Sequence, residues 1–215
     1  MDEIIFVDGH STDGTWEYLE SKGYRVVHQK SHGIAGAYWE CVEVAKGEII
    51  VAFSPDGNSL PELIPELIAK MKQGYDMVIA SRYLPPATSE DDDFVTAFGN
   101  QMFTKMVNIF FGGNYTDSLV MLRAFRKDLV TRLSMDRYHI PVFEYQLGIR
   151  CARQKMKVTE IPGSEPKRVG NVRKMKPIYN GLSLLYLVAA EIFGFKKKSL
   201  FLDAPSSPYQ KKHAA

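Results

Sequence analysis

Two carboxylates and one guanidinium occupy the places in this sequence best suited to chemistry. Asp56 lies in the stretch VAFSPDGNS, where an apolar run stops abruptly at an acid flanked by Pro55 and Gly57. Asp8 closes the run EIIFV and precedes Gly9, and Arg82 follows the run DMVIAS. Each run reads as a buried strand. Ligands of open α/β sheets bind outside the carboxyl ends of the strands, so Asp8, Asp56 and Arg82 are expected on one rim. A hard divalent cation takes oxygen ligands, and Mg²⁺ typically takes one or two carboxylates plus phosphate oxygens. Asp56 suits that task, because Pro55 pins it and Gly57 lets the backbone approach closely. Arg82 would offset the charge of a nucleotide diphosphate. Neither a GxGxxG nor a Walker loop is present, so metal and side chains must hold the phosphates. An Asp before a Gly is also a common turn former; the recurrence of charge at three strand ends is what favours a site.

The surrounding elements alternate. Strands at EIIFV, YRVVHQ, EIIVAF and DMVIAS are separated by helical stretches HSTDGTWEYLESKG, GIAGAYWECVEVAKG and LPELIPELIAKMKQG. Ser11, Thr12 and Asp13 offer an N-cap to the first helix; Gly23, Gly47 and Gly74 offer stops. Pro65 leaves the start of the third helix open. The alternation predicts right-handed βαβ units, an α/β fold with a mostly parallel, Rossmann-like sheet and helices on both faces. Beyond Arg82 come a polar loop (84–93), a helix in VTAFGNQMFTKMVNIFFGG, a strand in LVMLRAF, a helix in FEYQLGIRCARQ, a strand in KMKVTEIP and the basic loop GSEPKRVGNVRKMKP.

The 215 residues suit one large domain, expected over 1–195 with a basic and polar tail over 196–215. A net charge of +2 argues against nucleic-acid binding through bulk charge. The five histidines show no zinc-ligand spacing. Cys41 and Cys151 read as reduced core thiols of a cytoplasmic protein, Trp16 and Trp39 as helix-face packing, and the opening residues show no secretory signal. The apolar stretch Gly181–Phe195 is shorter than the roughly 20 residues of a membrane span. It reads as a buried helix or, given Lys196, Lys197 and Lys198 after it, as one lying on an anionic membrane surface.

Taken in order, IIFVDGHSTDGT, AKGEIIVAFSPDGNS, VIASRY and TDSLVMLRAFRKDLV resemble family 2 glycosyltransferases of the GT-A fold. FEYQLGIRCARQKMKVTEIP and EPKRVGNVRKM are similar to the branch that transfers sugars to dolichyl or polyprenyl phosphate. The resemblance implies an inverting transfer from a nucleotide diphosphate sugar to a polyprenyl phosphate or a glycan hydroxyl, with Mg²⁺ or Mn²⁺ as cofactor. It implies that Asp8 contacts the nucleoside, that Asp13 shapes its turn, that Asp56 is the last acid of a DxD-type metal motif, and that Arg82 faces phosphates. Asp117 matches the acid on the acceptor side; Arg168, Arg173 and Lys174 match a basic loop that meets an acceptor phosphate. A hydroxyl acceptor needs a general base, for which Asp117 and Glu144 are the candidates, whereas a phosphate acceptor is already anionic. Asp117 also reads as a turn residue, Glu144 as a partner of Arg150 or of its helix end, and the basic run as a solvated loop.

Two departures from the family pattern stand out. Ser54 occupies the place of the motif's first acid, and the chain opens at what would be the family's second strand, without the preceding strand and its Pro/Asn/Glu loop. A truncated fragment or a misassigned start is the expectation this raises, with unpaired backbone in mid-sheet and loss of activity expected if the chain lacks that strand. A non-catalytic nucleotide-binding or scaffold module is therefore the alternative reading. A nucleotidyltransferase is disfavoured, because no glycine-rich phosphate loop follows the first strand.

Overall fold

The computed structural model describes residues 2–31, 33–135, 142–169 and 177–194. Its first unit is β1 (Ile5–Asp8), α1 (Thr15–Ser21) and β2 (Arg25–His28), with β1 and β2 paired in parallel as a two-stranded sheet. α2 (Gly33–Val44) leads to β3 (Ile49–Ala52), and a short 3₁₀ turn (Pro61–Leu63) to α3 (Ile64–Lys72) and β4 (Met77–Ser81). The remainder is α4 (Phe94–Phe111), β5 (Arg123–Arg126), the single turn α5 (Leu129–Arg132), α6 (Phe143–Arg153), β6 (Val158–Pro162) and α7 (Pro177–Phe193).

A second sheet has the order β3-β5-β4-β6. β4 and β6 are parallel, and β5 runs antiparallel between β3 and β4. Ala52, Arg123, Ile79 and Glu160 form one row across it. Counting outward from that row, the turn at Asp56, the residues after Ser81 and the loop after Pro162 all leave from one rim. β5 starts at this rim, so the segment feeding it carries Asp117 there too. β4 is buried along its whole length, whereas β1 and β3, each with one hydrogen-bonded neighbour, are half-buried.

Leu67 and Met71 of α3, Phe125 of β5 and Phe143, Tyr145, Leu147 and Ile149 of α6 make the centre of the core. Full burial of such side chains contributes roughly 1.5–3 kcal/mol each before entropy is counted. Arg123 is also fully enclosed, and its guanidinium donates to the carbonyls of Val120, Ser118 and Glu144. It thereby braces the segment that presents Asp117.

Several boundaries differ from the sequence reading. α1 begins at Thr15 behind Gly14 (φ 87°), because Asp13 accepts from the Thr15 N–H and hydroxyl and forms a local turn instead of a cap. α2 stops at Val44, before Gly47; the Glu3 carboxylate accepts the N–H groups of Lys46 and Gly47. α7 starts at Pro177 rather than Gly181. α4 is capped as its sequence suggests, with Asp93 accepting from Thr96 N–H at 2.7 Å and Gly112 (φ 74°) ending it. Both cysteines are free thiols, and burial pushes that of Cys151 up to about 12. Among the described residues no helix is long and apolar enough to cross a membrane.

Candidate active site

Arg82 is the hub of the rim. It is 7% exposed, and its guanidinium meets three carboxylates. Nε and Nη2 donate to Asp117 at 2.7 and 3.1 Å, while Nη1 donates to Asp92 at 3.3 Å and to Glu165 at 3.2 Å. Burial by itself would lower the Arg82 pKa, but the facing Asp117, Glu165 and Asp92 hold it well above its usual range. Asp117, with no exposed surface, also accepts the backbone N–H groups of Leu119 and Val120. The same charges fasten neighbouring loops: Glu165 accepts from Asn58 at 3.0 Å and Ser89 at 2.9 Å, and Asp92 accepts from Tyr83 and Asn100.

Asp56 sits in the turn after β3, with its side chain 35% exposed. Its Oδ1 accepts from Ser54 Oγ at 2.7 Å, and its Oδ2 lies 3.6 Å from Arg168 Nη1. Arg168 is anchored by Asp91, to which Nε and Nη2 donate at 3.1 and 2.7 Å; this hydrogen bonding raises its pKa. The loop is tied down by its backbone as well, since Val169 N–H donates to the Asp56 carbonyl at 2.8 Å. Gly57 is left-handed (φ 85°), and a Cβ there would lie 2.6 Å from Val169 Cγ2. Gly57→Ala is therefore expected to lower stability by about 1–3 kcal/mol and to loosen the 163–169 loop. Urea unfolding measures the first effect, and Val169→Ala in the same chain should recover part of it.

The sequence-predicted residues fall into four groups. Asp56, Arg82, Asp117 and Arg168 are brought together through Glu165, Asp91 and Asp92. Asp8 is on a rim of the other sheet, 7% exposed. Burial alone would raise its pKa, but hydrogen bonds from Ser11 and His10 lower it, and no bond or ion pair among the described residues links it to Asp56 or Arg82. Glu144 lies in the core, 5% exposed, where burial raises its pKa and Tyr38 and Arg123 are its neighbours; Arg150 pairs with Glu191 instead. Arg173 and Lys174 lie outside the described residues.

Sequence reasoning passed over Asp91, Asp92, Glu165 and Asn58. The acidic run SEDDD facing a basic loop was the available signal for the first two. It also read Trp16 as packing only, whereas its ring stacks on His28 at 3.7 Å and His10 stacks on His28 at 5.1 Å, and His28 is the residue paired with Asp8 across the strands.

No group of three or more His, Cys, Asp or Glu side chains suited to a metal occurs among the described residues. The donor chemistry at Asp56 nonetheless fits a hard cation. One accessible carboxylate beside a hydroxyl leaves most coordination positions for diphosphate oxygens and water, as Mg²⁺ and Mn²⁺ sites commonly do.

Comparison with known proteins agrees with this architecture. The structure superimposes on glucosyl-3-phosphoglycerate synthase from Mycobacterium tuberculosis, solved with Mn²⁺, UDP and phosphoglyceric acid, with a TM-score of 0.68 over 92% of this chain and 70% of that one, at 18% identity. The fold expected from the resemblance, GT-A, is thus the fold observed. Glycosyltransferase AglJ of Haloferax volcanii is 28% identical over 83% of this chain, and dolichol-phosphate mannosyltransferase of Pyrococcus furiosus 35% identical over 43%. The chain spans 59% of the former's length and 28% of the latter's. Residues 1–133 match the family described as Glycosyl transferase family 2. Because that match takes in more than half of the sequence, this chain belongs to glycosyltransferase family 2.

Proposed function

We propose that the chain transfers a sugar, with inversion, from a nucleotide diphosphate sugar to a polyprenyl phosphate at the cytoplasmic face of a membrane. The enclosure of both candidate bases is the observation that carries this reading. Asp117 is saturated by the Arg82 guanidinium and three backbone N–H groups, and Glu144 is buried beside Arg123 and Tyr38. Neither can reach an acceptor hydroxyl without dismantling the fold around it. An acceptor phosphate carries its own charge and needs no proton removed. The relative named dolichol-phosphate mannosyltransferase has a lipid phosphate in its name, which agrees with that choice.

The positions of the described residues support the following roles. Asp8, paired across the strands with His28 and near the rings of Trp16 and His10 that stack on it, takes the nucleoside, since aromatic rings suit a base and a carboxylate suits a ribose. Asp56 would hold Mg²⁺ or Mn²⁺ against the diphosphate. That ion, when bound, supplies charge stabilisation for the leaving diphosphate. Arg82 is committed to carboxylates and acts by fixing the loops at 89–93 and 163–169 in register with the Asp56 turn. Arg168 supplies positive charge for phosphate oxygens, and Arg173 and Lys174, which follow it in the basic stretch of the sequence, are proposed to add to that charge.

The membrane side of the reading rests on two helices that pack together, α4 and α7. α4 leaves Val95, Phe98, Met102 and Ile109 exposed, at helical spacing, and its only charge is Lys105. α7 leaves Leu182, Leu185, Ile192 and Phe193 exposed; its one charge, Glu191, is turned inward onto Gln146, Arg150 and Arg153. Such apolar stripes suit the headgroup boundary of a bilayer. The acids Asp91–Asp93 lead directly into α4, so a lipid headgroup at that surface would lie close to the rim. The chain is expected to pellet with vesicles containing phosphatidylglycerol, and Phe98→Glu with Leu185→Glu to reduce the bound fraction by about tenfold or more. Wild-type protein that stays in the supernatant at low salt would contradict the membrane assignment.

Calorimetric titration of UDP-, GDP- and CDP-sugars, with and without Mn²⁺, tests the donor half. Metal-dependent binding of one nucleotide class, lost in Asp56→Asn, is the expected result. Binding without turnover of any acceptor would favour a non-catalytic nucleotide-binding module instead.

A further inference from the structure

We propose that Arg168 is a built-in cation stand-in at Asp56, which a divalent ion displaces only when a diphosphate arrives to accept the arginine. The inference rests on the reading of Asp56 as the cation ligand. Its basis is the unequal way in which Arg168 is held. One edge of the guanidinium, Nε and Nη2, is hydrogen-bonded to Asp91 at 3.1 and 2.7 Å. The remaining nitrogen, Nη1, reaches Asp56 Oδ2 at 3.6 Å, an ion pair without a hydrogen bond. A strong anchor and a weak contact on one side chain make a pivot: Asp91 retains the arginine while Nη1 is free to change partner.

The geometry makes the two cations exclusive. A divalent ion bonded to Asp56 at about 2.0–2.6 Å would stand within a few ångströms of Nη1, and like charges at that range repel strongly wherever water is partly excluded. The loop itself cannot easily withdraw. Val169 N–H is bonded to the Asp56 carbonyl at 2.8 Å, and Val169 Cγ2 occupies the space that Gly57 leaves free. Only the side chain of Arg168 is left to move, and with Asp91 and Glu165 already acidic around it, the partner best able to draw Nη1 from Asp56 is a new anion on the open side. Diphosphate oxygens provide that anion, and the ion they share with Asp56 completes the exchange. The bare protein is thus set to bind metal weakly, and metal with diphosphate synergistically. A resident arginine also spares an accessible carboxylate from standing unpaired between turnovers.

Titration of the full chain with Mn²⁺, read by the electron paramagnetic resonance of the free ion, tests this with and without inorganic pyrophosphate. Arg168→Gln is expected to bind Mn²⁺ alone about three- to fivefold more tightly, the scale of a half-exposed ion pair, and to lose pyrophosphate synergy by a similar factor. Lys167→Gln, which removes an adjacent charge with no contact to Asp56, should change Mn²⁺ affinity by less than about twofold. Arg168→Lys keeps a charge at Asp91 but lacks the second nitrogen that reaches Asp56. It should tighten Mn²⁺ in the same direction, and it serves as the test if the glutamine variant does not fold. Mn²⁺ binding that requires Asp56 but is unchanged or weakened in both Arg168 variants overturns the exchange alone. Absence of Mn²⁺ binding with or without pyrophosphate, or its survival in Asp56→Asn, overturns the cation reading of Asp56 and the exchange with it.

Discussion

Asp56→Asn is expected to lower sugar transfer by at least about 100-fold while leaving the fold intact. Loss of one preorganised electrostatic contact to a developing charge commonly costs two to three orders of magnitude, and metal positioning adds to that when the carboxylate is the protein's main ligand. The side chain is on a turn, 35% exposed, and its amide isostere can keep the bond from Ser54 Oγ. Thermal unfolding close to wild type together with collapsed initial rates in Mn²⁺ is the expected pair of observations. Rates within a fewfold of wild type would mean that the diphosphate is neutralised elsewhere.

Asp117→Ala is expected to act in the opposite way, on stability first. Asp117 is fully buried and takes two of the donors of Arg82, itself 7% exposed. Removing one partner of a buried pair leaves an under-compensated charge and typically costs about 3–5 kcal/mol. Asp92 and Glu165 still face Arg82, which places the expected loss near about 3 kcal/mol, the lower end of that range. Three backbone N–H groups, those of Arg82, Leu119 and Val120, lose their acceptor as well. Denaturant unfolding measures the loss, and a fall in midpoint with unchanged slope is the expected signature. A variant as stable as wild type that has lost only kcat would instead restore Asp117 as a general base.

The part of this site that local sequence could reveal is the part set by local physics. Pro55-Asp56-Gly57 after an apolar run specifies a tight turn at a strand end, and Arg82 after a strand buried throughout is readable for the same reason. The partners are not. Glu165 meets Arg82 across 83 residues of chain, and Asp91 meets Arg168 across 77. The parallel register of β4 and β6, continued by a bridge between Ser89 and Glu165, brings those loops to one rim. Composition predicted the basic loop but not that an acidic run would be stitched to it.

Direction and register were likewise hidden. The run LVMLRAF reads as a strand whichever way it points, and its antiparallel insertion between β3 and β4 is what delivers Asp117 to Arg82. Glu144 illustrates the reverse failure. On a helix of mixed polarity an acid reads as available, yet that helix is buried on nearly every side, and Glu144 goes inward with Phe143 and Tyr145. The start of α1 was misplaced because Asp13 satisfies Thr15 locally, a competition between turn and cap that propensity alone does not settle. On α4, an apolar sequence identified the helix but not that Val95, Phe98 and Ile109 would face outward.

The most direct measurement offers two acceptors that differ only in the reacting group. Polyprenyl phosphate and the corresponding polyprenol are each incubated with the sugar nucleotide found by titration, Mn²⁺ and the full chain, and labelled lipid is extracted over a range of pH. Product from the phosphate alone, with rates that follow ionisation of the acceptor, is what the enclosure of Asp117 and Glu144 predicts. Equal or faster transfer to the alcohol would contradict it.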